Sequence, residues 1–321
     1  MDLYYYLGKA PFKQKHLLTL QDYTADEIRQ VLSLALRLKD HQQKGIDRRM
    51  LAGKTLAMIF AKSSTRTRVS FDVGIHQLGG YGLMLPTSQS QMGRGEPPVD
   101  TANVLSRYVD GIMIRTYHQH EVEALAKHSS VPVINGLTDL VHPCQALADI
   151  MTLYEKKGDP RGLKLAYCGD GNNVANSLLT ICSKLGIDIA IACPHGYEPN
   201  AAILRSAYQN AMTAGRSGSH IVITDDPMEA VKDADAVYTD VFTSMGQEDE
   251  NDTRQKVFAP YQVNHDLMEH AKDDAIFMHD LPAHRGEEVT AEIIDGEQSV
   301  IYDQAENRLH AQKAVMALLM A

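Results

Sequence analysis

The 321-residue sequence contains no tryptophan, few cysteines and no long apolar run, and its charge is predominantly acidic. Lysine and arginine total 31 against 41 aspartate and glutamate residues, so the formal net charge is −10. A protein that binds nucleic acid or anionic membranes over a broad surface carries the opposite sign, so we expect neither as a partner. No apolar segment approaches the roughly 18 residues of a transmembrane helix, which also excludes a membrane-spanning class.

The four cysteines show no Cys-x-x-Cys spacing, which indicates reduced thiols in the cytoplasm. The amino terminus lacks the basic start and apolar stretch of a signal peptide, and this also favours a cytoplasmic location. Histidine is plentiful, at 14 residues, but neither His-Glu-x-x-His nor a clustered Cys/His pattern occurs. We therefore expect no dedicated metal site.

Composition and hydrophobic pattern predict two α/β domains with mostly parallel sheets. The content of 44% hydrophobic and 22% charged residues is that of a globular protein, and the length suits two domains of about 150 residues. Short apolar runs alternate with amphipathic segments, which is typical of parallel sheets covered by helices. Strands are predicted at 55–60, 81–85, 111–115, 131–134, 165–168, 187–193, 220–224, 236–240 and 276–279. Helices are predicted at 24–40, with a capping box, and at 65–78, 101–108, 121–128, 145–157, 176–185, 201–212, 228–234 and 309–319.

A polar break at 156–160 separates the two sets of strands. We expect two doubly wound domains, 1–150 with a C-terminal helix at 304–321, and 151–303, joined by interdomain helices with the active site in the cleft. The acidic segment 247–253 is interpreted as a mobile surface loop.

Two segments of the first half contain groups suited to an anion. Residues 63–68 read Ser-Ser-Thr-Arg-Thr-Arg where a strand gives way to a helix, and helix N-termini, hydroxyls and guanidiniums all bind phosphate. A plain helix cap with exposed arginines fits this segment equally well. Residues 142–145 read His-Pro-Cys-Gln at another helix start, where His142 and Gln145 could face a bound carbonyl. Arg115 ends a strand at the carboxyl edge, where open α/β sheets bind ligands.

The second half contains three further candidates, each with a plain alternative. Residues 169–174 read Gly-Asp-Gly-Asn-Asn-Val, an imperfect dinucleotide fingerprint without the acidic residue that holds a ribose, so Asn173 could instead bind a polar substrate. Asp240 ends a strand and precedes Ser-Met-Gly at 244–246, a carboxylate and loop suited to an amino acid. Segment 279–288 is dense in polar groups after an apolar strand, although a solvated loop would look the same.

Taken together, Ser-Thr-Arg-Thr at 64–67, His-Pro-Cys-Gln at 142–145 and Asp240 followed by Ser-Met-Gly resemble the ornithine carbamoyltransferases. The similarity runs from about His16 to the C-terminus and includes Ala-Glu-Asn-Arg at 305–308. The first two motifs are shared by the wider aspartate/ornithine carbamoyltransferase family, whereas the Ser-Met-Gly loop indicates a substrate with an α-amino acid head. The resemblance implies carbamoyl transfer from carbamoyl phosphate to ornithine, without a cofactor, in a homotrimer or an assembly of trimers.

The resemblance also implies a role for each matching position. Carbamoyl phosphate would be bound by Ser64, Thr65, Arg66, Thr67, Gln91, Arg115, His142, Gln145, Asp280, Leu281 and Arg308. Ornithine would be bound by Asn173, Asp240, Ser244 and Met245. The catalytic roles would fall to Arg115, His142, Asp240 and Asp280, and Gln91 would reach into the site of a neighbouring subunit.

One position departs from the family. Ornithine carbamoyltransferases usually read His-Cys-Leu-Pro where residues 279–282 read His-Asp-Leu-Pro. The backbone carbonyls of Asp280 and Leu281 could still bind the carbamoyl group, but a carboxylate beside the substrate amine would favour its protonated form. Alternatively, Asp280 could turn away and pair with Arg285.

Several other functions remain open at this point. Putrescine or a modified ornithine could replace ornithine as the acceptor, although putrescine would leave Ser244 and Met245 without an α-amino carboxylate to bind. Aspartate would call for added cations. The chain could also be a dinucleotide-dependent oxidoreductase, or a carbamoyl-phosphate-binding protein in which Asp280 impairs catalysis.

Overall fold

The computed structural model describes residues 2–215, 218–244, 246 and 248–321. It divides into two compact units: the first extends to Met151 and also includes Glu306–Ala321, and the second is Thr152–Ala305. Each unit contains a sheet whose paired strands are parallel. The prediction of two α/β domains with parallel sheets is therefore confirmed.

The strands and helices have the following bounds. The strands are β1 (Thr55–Phe60), β2 (Tyr81–Pro86), β3 (Gly111–Arg115), β4 (Val133–Leu137), β5 (Lys164–Cys168), β6 (Asp188–Ala192), β7 (Ile221–Thr224), β8 (Ala236–Thr239) and β9 (Ile276–His279). The helices are α1 (Ala25–Gln43), α2 (Thr65–Gln77), α3 (Pro98–Leu105), α4 (Gln119–His128), α5 (Pro143–Lys157), α6 (Asn173–Leu185), α7 (Ala201–Ala214), α8 (Pro227–Val231), α9 (Asn251–Phe258), α10 (His265–Met268), α11 (Ala291–Ile294) and α12 (Ile301–Met320).

The strand order of each sheet positions the candidate site residues. In the first unit the order is β2-β1-β3-β4, so the chain leaves the neighbouring strands β1 and β3 in opposite directions. In the second unit the order is β7-β6-β5-β8-β9, and the same reversal falls between β5 and β8. Open α/β sheets bind ligands at the carboxyl ends of the strands at such a reversal.

Apolar residues at every second position of the strands form one side of each core. In the first unit, Ala57 and Ile59 of β1 pack with Ile112 and Ile114 of β3 in a cluster that includes Leu125 of α4. In the second unit, the same alternation places Ala166 and Cys168 of β5 with Val237, Phe277 and residues of α8. These packed layers hold the ends of the strands, and hence the polar residues that follow them, in fixed positions.

Helix α12 contributes to the first unit from far along the chain. Gly74 of α2 permits its close approach, because a Cβ at this position would lie 3.0 Å from Met316 Cε and 3.2 Å from Lys313 Cγ. The Nζ atom of Lys313 donates a hydrogen bond to Gln77 Oε1 at 2.8 Å, which fixes the two helices further. Arg308 lies nearer the start of α12 than these residues, and the packing of the two helices places it at the amino-terminal end of α2.

Local sequence signals explain where several helices begin. The predicted capping box of α1 is confirmed, since Thr24 Oγ1 accepts from Glu27 N and Glu27 Oε2 accepts from Thr24 N. Ser64 caps α2 by accepting from Thr67 N at 3.2 Å. Each cap satisfies N–H groups that have no partner within the helix.

Several predicted elements differ from those of the structure. The helix predicted at 101–108 lies at Pro98–Leu105, and the C-terminal helix begins at Ile301, before the predicted start at 304 or 309. Two further elements were also placed incorrectly. The segment 247–253 is not simply a loop: residues 248–250 form a short 3₁₀ turn and α9 begins at Asn251, while Gln247 lies outside the described residues. The helix is held by Arg254, which is buried, donates to Phe242 O at 2.6 Å and pairs with Asp170. Strand β4 was expected at 131–134 but lies at Val133–Leu137, because the buried amide of Asn135 finds a partner in Leu18 O.

Two further features concern the helices and the cysteines of the described residues. None of their helices has the length and apolar character needed to cross a bilayer. All four cysteines are free and buried within their units.

Candidate active site

Two guanidinium groups converge on one hydroxyl in the first unit. Arg115 ends β3 and donates from Nη1 to Thr67 Oγ1 at 3.2 Å, while Arg308 of α12 donates from Nη2 to the same oxygen at 3.3 Å. Thr67 and Arg308 are only 1% and 3% exposed. Because the two N–H groups occupy the acceptor positions of Thr67 Oγ1, its own O–H remains a donor for a ligand.

Arg308 is held by two side-chain amides as well. Its Nη1 donates to Gln145 Oε1 at 2.5 Å, and Gln145 Nε2 in turn donates to Asp149 Oδ1 at 2.8 Å. With its amide oriented to suit both neighbours, Gln312 accepts from Arg308 Nη2 at 3.0 Å and donates to Ser70 Oγ at 2.6 Å. The guanidinium is thus fixed before any ligand arrives, which lowers the cost of binding.

His142 lies in this cationic surrounding as an uncharged imidazole. It precedes α5 and is 2% exposed. Burial lowers its pKa well below the ordinary value, and the positive charges of Arg308, Arg115 and Arg66 lower it further. A neutral imidazole can donate an N–H to a carbonyl oxygen at neutral pH without adding a charge.

The remaining candidates of the first unit lie around this cluster or apart from it. Ser64 caps α2, Thr65 is the exposed first residue of the helix, and Arg66 is half-buried and near enough to His142 to affect its pKa. The side chain of Gln91 is exposed, beside the 3₁₀ turn Met92–Arg94. The structure therefore brings the carbamoyl-phosphate candidates of the first unit together, with the exception of Gln91, while Asp280 and Leu281 belong to the second unit.

In the second unit, Asp240 presents a buried carboxylate directly after β8. It is 6% exposed; Oδ1 accepts from Val241 N and Oδ2 accepts from Asn172 Nδ2, each at 2.7 Å. Asn173, the first residue of α6, follows Asn172 at the end of the neighbouring strand β5. Ser244 is half-buried, and Met245 lies outside the described residues.

Asp280 lies beside Asp240. One carboxylate oxygen of each residue and a ring nitrogen of His279 lie within 4.8 Å of one another. Two carboxylates and an imidazole at this spacing could bind a substrate ammonium group or a divalent cation. Asp280 does not pair with Arg285, because Arg285 pairs with Asp295 through Nε at 2.8 Å and Nη2 at 2.6 Å.

The segment that carries Asp280 is fixed by buried hydrogen bonds. His279 Nδ1 accepts from Leu281 N at 2.9 Å, so the ring proton lies on Nε2 and is donated to Glu288 Oε1 at 3.0 Å. The same Glu288 oxygen accepts from His284 N at 2.6 Å. Leu281 has a positive φ of 61°, an uncommon conformation for a branched residue that these bonds maintain.

Several of these supporting residues were not identified from the sequence. Sequence analysis identifies Asn173 as a site candidate but not the preceding Asn172, although an Asn directly before a helix is a recognisable cap. Gln312 lies four residues after Arg308, on the same face of a helix, and Glu288 lies in the polar segment already singled out. Their contacts depend on the tertiary fold, which spacing alone does not reveal.

Both halves of the chain match domain families of known proteins. Residues 15–155 match the family described as aspartate/ornithine carbamoyltransferase, carbamoyl-P binding domain. Residues 161–319 match its Asp/Orn binding domain. The chain therefore belongs to the aspartate/ornithine carbamoyltransferase family.

Individual relatives within this family are named ornithine carbamoyltransferases. The chain is 57% identical over 311 residues to an ornithine carbamoyltransferase of Carboxydothermus hydrogenoformans, covering 97% of this chain and 99% of the relative. It is 58% identical over 307 residues to an ornithine carbamoyltransferase of Bacillus subtilis, covering 95% and 94%. The solved ornithine carbamoyltransferase of Pyrococcus furiosus superimposes with a TM-score of 0.93 at 57% identity, covering 97% and 98%. The resemblance inferred from the motifs is thus confirmed.

Proposed function

We propose that this chain transfers the carbamoyl group of carbamoyl phosphate to the side-chain amine of L-ornithine, giving L-citrulline and phosphate. The observation that carries the proposal is the convergence of Arg115 and Arg308 on Thr67 beside the uncharged His142. This cluster suits an anion that also contains a reactive carbonyl. Relatives named ornithine carbamoyltransferase, 57–58% identical over nearly their full lengths, support ornithine as the acceptor.

The proposed reaction requires stabilisation of a developing oxyanion. The amine nitrogen attacks the carbonyl carbon and forms the C–N bond; the bond from carbon to the phosphate oxygen breaks, and phosphate leaves with the electron pair. The amine nitrogen loses one proton, which the departing phosphate takes up, as the nitrogen becomes part of citrulline. Arg115, His142 and the O–H of Thr67 would stabilise the negative charge on the carbonyl oxygen, since fixed donors act most strongly where charge develops.

We further propose that the first unit binds carbamoyl phosphate and the second binds ornithine. The first unit offers the cations Arg66, Arg115 and Arg308 to an anion. The second offers the carboxylates of Asp240 and Asp280 to an amine. Asn173, Ser244 and Met245 remain the candidates for the α-amino acid head.

The alternative of a dinucleotide-dependent oxidoreductase is disfavoured by the surroundings of Gly171. In a dinucleotide site the second glycine of the fingerprint lets pyrophosphate approach the backbone. Here a Cβ on Gly171 would lie 2.3 Å from Pro199 N and 2.4 Å from Glu198 C, and Gly171 N donates to Tyr197 O at 2.9 Å. The protein's own segment 197–199 therefore fills the space that the glycine leaves.

An assay of product formation tests the proposed function. The protein is mixed with carbamoyl phosphate and ornithine, and citrulline is measured; parallel reactions contain putrescine, an acetylated ornithine or aspartate. Turnover with ornithine above the other amines is expected. Absence of citrulline, or faster reaction with another acceptor, would refute ornithine as the substrate.

We also propose that the chain works as a homotrimer or an assembly of trimers in the cytoplasm. Large apolar side chains are exposed on α2, the sheet-edge strand β2, α3 and the turn that follows α3, namely Val69, Val73, Tyr81, Leu83, Val104 and Tyr108. Exposed apolar side chains on α2 and on the sheet-edge strand β2 favour contact with another protein surface. The four free, buried cysteines favour a reducing compartment.

A shared site predicts that defective subunits complement one another. If Gln91 acts in a neighbour's site, mixed oligomers of Gln91→Ala and Arg66→Ala chains contain some sites with neither substitution. Citrulline formation should therefore recover on mixing and reassembly. A mixture of Arg66→Ala and Arg115→Ala chains is the matched control, because both residues belong to one chain's site and no intact site can form. Equal activity in the two mixtures would contradict site sharing.

A further inference from the structure

Asn172 makes two kinds of contact with one amide. Its Oδ1 accepts from Val174 N at 2.9 Å and from Ala175 N at 3.2 Å, and so caps α6. Its Nδ2 donates to Asp240 Oδ2 at 2.7 Å. Tyr167 Oη also donates to Oδ1, at 3.4 Å. The amide orientation is therefore fixed, because its oxygen faces three donors and its nitrogen faces a carboxylate.

This contact determines the orientation of the Asp240 carboxylate. Oδ1 accepts from the backbone N–H of the next residue, Val241. Oδ2 accepts from Asn172, which lies between the neighbouring strand β5 and helix α6. A carboxylate has about four acceptor positions, so the two donors hold its plane and leave the others for a ligand. Without Asn172, Val241 N would be the one remaining hydrogen-bond donor to the carboxylate among the described residues, and the carboxylate could rotate about χ2.

We propose that Asn172 is a positioning residue that orients Asp240 toward the amine of the acceptor substrate. This inference rests on the proposed function, in which Asp240 binds ornithine. Asn172 links the two strand ends, β5 and β8, at which the strand order of the sheet reverses. Substitution of Asn172 should therefore weaken the binding of ornithine without changing the binding of carbamoyl phosphate. This difference distinguishes a positioning role from general support of the fold.

The two contacts of Asn172 can be separated by substitution. Serine and aspartate are both good helix caps, so Asn172→Ser and Asn172→Asp retain an acceptor for Val174 N and Ala175 N. Serine is too short to donate to Asp240, and aspartate has no donor and places a second negative charge against it. Asn200 provides the matched control: it caps α7 by accepting from Ala202 N and Ile203 N, and its side chain has no described contact with a carboxylate.

The experiment measures citrulline formation by the full-length wild type and by the Asn172→Ser, Asn172→Asp, Asn200→Ser and Asn200→Asp variants. Each substrate is varied in turn, and thermal unfolding is recorded for every variant. For Asn172→Ser we expect kcat/KM for ornithine to fall about 10- to 100-fold, by analogy with the loss of an outer partner that orients a metal ligand. The KM for carbamoyl phosphate should stay within about twofold of the wild type. Asn172→Asp should lose more, and both Asn200 variants should behave as the wild type.

Defined results would overturn the inference. Unchanged kcat/KM for ornithine in Asn172→Ser, a parallel rise of both KM values, or equal losses in the Asn200 variants would each do so. If Asn172→Ser does not fold, Asn172→Asp decides, and failure of both to fold would assign Asn172 a structural role only. The wild type is assayed first: if it forms no citrulline, the proposed function itself fails, whereas an active wild type with an unaffected Asn172→Ser refutes this inference alone.

Discussion

Replacement of Arg115 by methionine is expected to lower kcat for citrulline formation by about 100- to 1,000-fold, the usual cost of removing one fixed donor to a developing oxyanion. Arg115 ends β3 and donates to Thr67 Oγ1, the hydroxyl that Arg308 also contacts. Methionine keeps an unbranched side chain in this buried position but supplies neither a charge nor a donor. Thermal unfolding of the variant is recorded beside the kinetics to establish that it folds.

Steady-state kinetics with both substrates varied would test this effect. Arg49→Met is the matched control, since Arg49 is exposed in a loop of the same unit and has no place in the proposed site. The control should keep the wild-type kcat. A kcat within threefold of the wild type in Arg115→Met, with binding of carbamoyl phosphate alone reduced, would show that Arg115 holds the phosphate and does not stabilise the oxyanion.

The second large effect is expected from Asp280→Cys, which restores the residue usual in ornithine carbamoyltransferases. A carboxylate within about 4–6 Å of an amine raises the amine's pKa by about 1–3 units, because it stabilises the ammonium form. Asp280 and Asp240 present two such groups within 4.8 Å of each other, with His279 beside them and Glu288 behind the imidazole. The wild type should therefore bind ornithine tightly but turn over fastest at alkaline pH, where enough free amine is present.

Removing the second charge should move the pH–rate profile of Asp280→Cys downward by about 1–2 pH units and raise turnover near pH 7 by about tenfold or more. Asp280→Asn serves as the control for charge: it is similar in size, and we expect a shift in the same direction. An unchanged profile in both variants would show that the Asp280 carboxylate does not act on the amine. Loss of wild-type activity on dialysis against EDTA, restored by a divalent cation, would instead assign Asp240, His279 and Asp280 to a metal ion.

Sequence reasoning identified the fold class because the signals that define it are local. The strands β1, β3 and β9 lie where the apolar runs predicted, and the Thr24 and Glu27 box begins α1. Errors arose where tertiary contacts override local preference. Asn135 and the following glycine conceal part of β4, whose polar amide is satisfied by Leu18 O. The acidic start of α9 is predicted to be a loop, because nothing in the sequence of this segment indicates that Arg254 is buried against Phe242 and Asp170.

The candidate site could be predicted only in part for the same reason. Residues at the ends of predicted strands, such as Arg115 and Asp240, stand out because parallel strands place their carboxyl ends at one edge. Arg308 was found through the resemblance alone, since nothing in the spacing relates position 308 to position 67. Asn172 has an evident local role as a cap, and this role conceals its second contact with Asp240. The structure adds the partners that orient each functional group.

The order of synthesis gives the discontinuous first unit a biological consequence. Arg308 and Gln312, which complete the cationic cluster around Thr67, follow the whole of Thr152–Ala305 in the chain. A ribosome therefore translates every residue of the second unit before it supplies the guanidinium that the first unit needs. A nascent chain that ends just after residue 305 contains the complete sequence of the second unit but lacks Arg308, and with it part of the proposed anion site. Translation must therefore pass Arg308 before the proposed anion site is complete, and we expect a chain that ends earlier to be inactive toward carbamoyl phosphate.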